Sequence, residues 1–176
     1  MYQSEWTDKP VLHLFPHWNW KLGQTVDVWA YFSQADEVEL FLNGKSIGTS
    51  TKNDSSLHAM WRLKFVPGQL KAVSRKNGKI VLESSIQTAG DASRIVLRSA
   101  QSELNRAENE LGFVEITVVD AMGIPVQTAD NLISLSVQGV GKIAATDNGS
   151  PTAHSPFGIP NKQLFNGKLL AMLKTT

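Results

Sequence analysis

Apolar residues recur at every second position over short runs, and turn-forming residues separate the runs. Residues 25–32 put Val26, Val28, Ala30 and Phe32 on one face, with Trp29 and Tyr31 on the other. Residues 37–42 turn Val38, Leu40 and Leu42 inward and Glu37 and Glu39 outward, and residues 45–50 run back after Asn43-Gly44. Asn-Gly between two such runs predicts a hairpin, because a type I′ turn needs positive φ at both central residues. Residues 57–66 alternate again, with Leu57, Ala59, Trp61, Leu63 and Phe65 inward and His58, Arg62 and Lys64 outward. Pro67-Gly68 breaks the run, residues 70–75 form another strand, and Asn77-Gly78 turns the chain into residues 79–88.

Thr88-Ala89-Gly90-Asp91 reads as a junction of small residues, after which the pattern restarts. Strands are expected at 94–99, 113–119, 132–137, 142–146 and 168–173. Turns are expected at Asp120-Ala121-Met122-Gly123, Gln138-Gly139 and Asp147-Asn148-Gly149-Ser150-Pro151. Residues 102–111 place Leu104, Ala107 and Leu111 at helical spacing but read as a polar loop with at most one helical turn. Strands never alternate with helices, which excludes a parallel α/β sheet. The expected fold class is all-β, with two tandem β-sandwiches.

Composition narrows the chemistry. The 176 residues are 41% apolar, enough for a core without staples. Seventeen basic against sixteen acidic residues give a net charge of +1, with no basic footprint for nucleic acid. The longest apolar stretches, such as residues 26–32, are too short to cross a bilayer. Without cysteine there are no disulfides, thiolate nucleophiles or cysteine zinc sites. Residues 1–6 lack a basic region followed by an apolar one, so no signal peptide is readable.

Catalytic and metal constellations are also missing from the pattern. His13, His17, His58 and His154 show no paired metal spacing, since Pro16 interrupts the one pair that lies four apart. Glu37 and Glu39 share one strand face, and Glu108 and Glu110 share a polar loop. Glycoside hydrolysis instead needs two carboxylates facing each other across a sugar. Asp147-Asn148 offers too few oxygens for calcium. Asn53-Asp54-Ser55 and Asn148-Gly149-Ser150 match the N-glycosylation sequon, the second better explained as a turn. The expected catalytic, cofactor and metal residues are therefore none. The densest aromatic cluster, Phe15-Pro16-His17-Trp18-Asn19-Trp20, makes His17, Trp18, Asn19 and Trp20 the candidates for an interdomain or sugar contact.

Three stretches carry a family resemblance. Trp6-Thr7-Asp8-Lys9-Pro10-Val11-Leu12-His13-Leu14-Phe15-Pro16-His17-Trp18-Asn19-Trp20 resembles the segment after the catalytic barrel in Bacteroidetes-type glycoside hydrolase family 2 β-galactosidases. Glu37-Val38-Glu39-Leu40-Phe41-Leu42-Asn43-Gly44-Lys45-Ser46-Ile47-Gly48 is similar to a strand pair in the small domain that follows. Asp147-Asn148-Gly149-Ser150-Pro151-Thr152, His154, Pro156, Phe157 and Phe165-Asn166-Gly167-Lys168 resemble the next domain's ending.

The resemblance implies two immunoglobulin-like sandwiches at 11–89 and 90–176, with 1–10 as the tail of the preceding barrel. The parent would be a retaining β-galactosidase whose two catalytic glutamates match no position here, so this piece would be non-catalytic. Its implied role is to support the barrel of the same polypeptide and shape homo-oligomer contacts. The parent would be periplasmic or extracellular, its signal upstream of this chain. The alternative role is a module contacting glycan, with Trp20 the best contact, Trp18 and Trp29 next, and Trp61 the weakest.

Overall fold

The computed structural model describes residues 1–52, 56–105 and 110–175 and divides into two compact units, Met1–Thr88 and Ala89–Thr176. The sequon at Asn53, Glu108, and the middle of the 102–111 window lie outside the described residues.

The first unit opens with a short helix, α1 (Tyr2–Trp6), and then builds two antiparallel sheets. One has the order β1 (Val11–Phe15), β2 (Thr25–Ser33), β5 (Ala59–Lys64). The other has the order β4 (Lys45–Ser50), β3 (Glu37–Leu42), β6 (Gln69–Lys76), β7 (Lys79–Gln87). The period-two rows meet between them. Val26, Val28, Ala30 and Phe32 of β2 and Ala59 and Trp61 of β5 pack against Val38 and Leu40 of β3 and Leu70 and Ala72 of β6. Asn43 and Gly44 both have positive φ, as do Asn77 and Gly78, giving the two-residue turns the sequence predicts.

One expectation fails locally, and one strand was unforeseen. Leu57 precedes β5 and is exposed rather than inward, because the strand begins at Ala59. β1 was not anticipated: of its residues only Leu14 is buried, so it carries no clean alternation and is held by its register along β2.

The second unit pairs β11 (Gly141–Asp147), β13 (Lys168–Thr175), β9 (Leu111–Val119) and β8 (Arg94–Ser99) in that order, beside a two-stranded sheet of β10 (Leu132–Ser134) and β12 (Asn161–Gln163). Ile116 and Val118 of β9 and Leu169 and Ala171 of β13 meet Ile133, Leu164, Val126 and Ala129 in the core. The strand expected to reach Val137 stops at Ser134, where pairing with β12 ends. β12 reads Asn-Lys-Gln, which no hydrophobic period can reveal. Asn166-Gly167 forms a third positive-φ turn, and a Cβ on Gly167 would sit 2.3 Å from the Val126 carbonyl oxygen. Only glycine fits there.

The predicted turn after β9 is organised by Asp120, whose side chain is almost fully buried. Its Oδ2 accepts the Gly90 N–H at 2.9 Å, and its Oδ1 accepts those of Ile124 at 2.8 Å and Met122 at 2.9 Å. These donors, Gly90 first, hold the carboxyl below the ordinary aspartate range. A folded-state pKa below the unfolded one stabilises the fold above the unfolded value, and that contribution disappears as pH falls through the folded value. Urea melts of the chain are thus expected to lose stability on acidification below about pH 4. Asp120→Asn should flatten that dependence; an unchanged acid limb in the variant would refute the assignment.

Candidate functional site

The aromatic segment leaves the first sheet where β1 ends, through a cis Phe15–Pro16 peptide bond. Its four candidates then diverge. Trp18 turns inward and is 1% exposed; its Nε1 donates to the Val66 carbonyl at 3.0 Å, and its ring meets Phe65 edge-on at 5.1 Å. The Trp18 carbonyl in turn accepts the Thr88 hydroxyl at 2.7 Å. This ring is core of its own unit and has no surface to offer a sugar or a barrel, which corrects the expectation for Trp18. The indole is part of the same core cluster as Val28, Ala30 and Ala72.

His17 and Trp20 stay at the surface, half-buried, as does Asn19. The imidazole and indole stack at 4.6 Å with an interplanar angle of 11°, and Trp20 Nε1 donates to the His17 carbonyl at 2.8 Å. His17 Nδ1 accepts the Asn19 backbone N–H at 3.2 Å, and burial holds the imidazole below its ordinary pKa. The neutral ring, with its proton on Nε2, is the form this geometry favours. One face of Trp20 is occupied by His17; the turn at residues 21–24 follows immediately, closed by the Gln24 N–H to the Lys21 carbonyl at 2.9 Å.

Two of the carboxylates considered for catalysis, Glu39 and Glu110, are engaged locally. Glu39 accepts Ser46 Oγ at 2.7 Å and Arg75 Nη1 at 2.8 Å, which together lower its pKa, the hydroxyl most. Glu110 accepts the Asn105 N–H at 2.8 Å. Asp147 Oδ1 and Asn148 Oδ1 accept the N–H groups of Gly149 and Ser150, making the turn read from the sequence. Among the described residues no group of three or more His, Cys, Asp or Glu could hold a metal ion.

Two features went unread in the sequence. Lys162 of β12 is buried, its Nζ donating to carbonyls of Thr146, Ser155 and Pro156. On the outer face of the first sheet, Phe15, Trp29, Tyr31 and His58 form a connected ring cluster. The sequence placed Trp29 and Tyr31 outward, but only the register of β1 along β2 brings Phe15 opposite Trp29.

Comparison with known proteins fixes the family. Residues 95–176 match the family described as glycoside hydrolase family 2 C-terminal domain 5, and residues 23–82 match a domain of unknown function (DUF4982). The chain is 48% identical over 174 residues to a β-galactosidase of Bacteroides ovatus, BoGH2A, covering 99% of this chain and 20% of that protein. The chain belongs to the C-terminal region of glycoside hydrolase family 2. Solved structures agree with this family 2 membership. A β-glycosidase from Bacteroides vulgatus superposes with a TM-score of 0.90 at 35% identity, covering 99% of this chain and 22% of that one. A glycosyl hydrolase family 2 member from Bacteroides cellulosilyticus gives 0.91 at 28% identity, covering 98% and 26%. This family 2 chain therefore spans about a fifth to a quarter of the length of these relatives.

Proposed function

We propose that the chain is a non-catalytic scaffold of a β-galactosidase-type glycosidase, bracing a catalytic barrel carried by the same polypeptide and shaping its oligomer contacts. On this reading residues 1–10 are the barrel's tail, the chemistry is retaining, and the parent acts in the periplasm or outside the cell. The observation that carries it is the inner face of β8. Leu97 lies opposite Ile116 in register, on the face that holds the core, yet is 64% exposed where Ile116 is 1% exposed. Ile95, opposite Val118, is 50% exposed. Beside Leu97 lies an apolar groove lined by Val114, Val137, Ile143 and Leu173. An uncovered apolar face continuous with a core supports a docking role, since exposed apolar patches mark interaction surfaces.

The test mixes the purified chain with a separately produced BoGH2A lacking its own matching C-terminal region. Stable association is expected, with affinity weakened about tenfold or more by Leu97→Asp, and no turnover of a chromogenic β-galactoside by the chain alone. Turnover above blank, or a failure to associate, would overturn the reading.

A further inference from the structure

The outer face of the β1-β2-β5 sheet holds a further aromatic surface. Along β2, Asp27, Trp29 and Tyr31 alternate with the buried Val28 and Ala30, so all three project outward. Across the sheet Trp29 faces Phe15 on one side and Met60 on the other, Tyr31 faces His13, and Asp27 faces Arg62. The rings touch: Phe15 and Trp29 at 5.9 Å, Trp29 and His58 stacked at 4.7 Å, Tyr31 and His58 at 5.5 Å. Phe15 and Met60 are each about half exposed. From Asp27 to Tyr31 the row runs ~14 Å, the rise of an extended strand. That length suits an oligosaccharide better than a single sugar ring.

We infer that this face is a carbohydrate-binding platform for a neutral oligosaccharide, centred on Trp29. The C–H bonds on one face of a pyranose are weakly positive and lie against the negative face of an aromatic ring, so a row of outward rings on a sheet matches a row of sugars. Hydrogen-bonding groups frame the rings. Arg62 grips Asp27 through Nε–Oδ1 at 2.7 Å and Nη2–Oδ2 at 2.9 Å, leaving further N–H groups and lone pairs for adjacent hydroxyls. His13 and Tyr31 stand at the opposite end.

Trp29 also differs from the other indoles of the sandwich. Trp18, Trp20 and Trp61 each donate Nε1 to a backbone carbonyl, whereas Trp29 Nε1 is buried without an acceptor among the described residues. A buried donor without a partner is rare and costly. The alternation that packs the core already sets this face outward, so the platform does not depend on the scaffold reading.

The test titrates the 176-residue chain with β-1,4-galactotetraose and with cellotetraose by calorimetry, and maps amide shifts on the labelled chain. Saturable binding of one of them is expected, with shifts centred on Trp29, Tyr31 and Arg62. Trp29→Ala should weaken it about tenfold or more, and Trp20→Ala should leave it unchanged. Phe15→Ala, at a half-exposed position that does not support the core, should weaken it too and covers the case in which Trp29→Ala fails to fold. No saturable binding of either sugar overturns the inference, as does binding that survives both Trp29→Ala and Phe15→Ala. If Trp29→Ala instead weakens only association with the truncated BoGH2A, the face is a protein interface and the inference fails, while the scaffold reading stands.

Discussion

Trp18→Ala is expected to remove a large share of the first unit's stability. Truncating a buried tryptophan costs about 3–5 kcal/mol through lost contacts and the void left behind. The Val66 carbonyl also loses its donor, at a further cost of about 1 kcal/mol. Against a domain stability of about 5–15 kcal/mol, that sum of about 4–6 kcal/mol is a third of the total at the high end and the whole of it at the low end. The site cannot collapse easily, since the surrounding rows are strand residues fixed by ladders on both sides, and the Trp18 backbone is tied to Thr88. In a domain of this size each kcal/mol moves Tm by about 4–8 °C, so scanning calorimetry should show a fall of roughly 15 °C or more. A drop of only a few degrees would mean the ring is peripheral to the core. Trp20→Ala, at a half-exposed ring, is expected to cost far less.

The second large effect is expected at Lys162. The residue is 3% exposed, and its ammonium sits among the carbonyls of Thr146 (3.1 Å), Pro156 (3.3 Å) and Ser155 (3.4 Å), over the Phe157 ring at 5.0 Å. Burying a cation is expensive unless every donor is used, and here carbonyl dipoles use them. The arrangement folds the 147–160 segment around one side chain, helped by the Thr146 N–H to the Phe157 carbonyl at 2.7 Å. Lys162→Met keeps the stem and removes the charge, leaving the carbonyls without a donor; the loss should be about 3 kcal/mol. Lys162→Arg should not rescue it, because a planar fork cannot replace a compact ammonium in a closed ring of carbonyls. Urea melts supply the energy, and hydrogen exchange should show the Thr146 amide losing protection first. Full protection in the methionine variant would rule out this role.

The sandwich core was legible because strand periodicity and burial coincide: Val26, Val28, Ala30 and Phe32 could hardly be arranged otherwise. The hairpins at Asn43-Gly44 and Asn77-Gly78 were legible for the same local reason. What stayed hidden depends on distant pairing. β1 is recognisable only along β2, and β12 only once Lys162 has its carbonyls. Among the candidate contacts, the sequence marked where the indoles cluster but not which way they face. Trp18 and Trp20 are two residues apart in a loop without strand period, so alternation gave no guide to which would be buried. Trp29 lay within a strand, and its outward direction could be read directly.

The edge position of β8 also bears on how the chain behaves in solution. It ends the sheet order, so one side of its backbone has no strand partner, and its Ile95-Val96-Leu97 run is exposed between Arg94 and Arg98. Such an edge is a template for stacking one molecule on the next, and flanking charges are what hold copies apart. Salt screens charge but leaves apolar contact intact. Arg94 and Arg98 are thus the charges that keep this edge from stacking on another copy, and concentrated salt is the condition under which that protection should weaken.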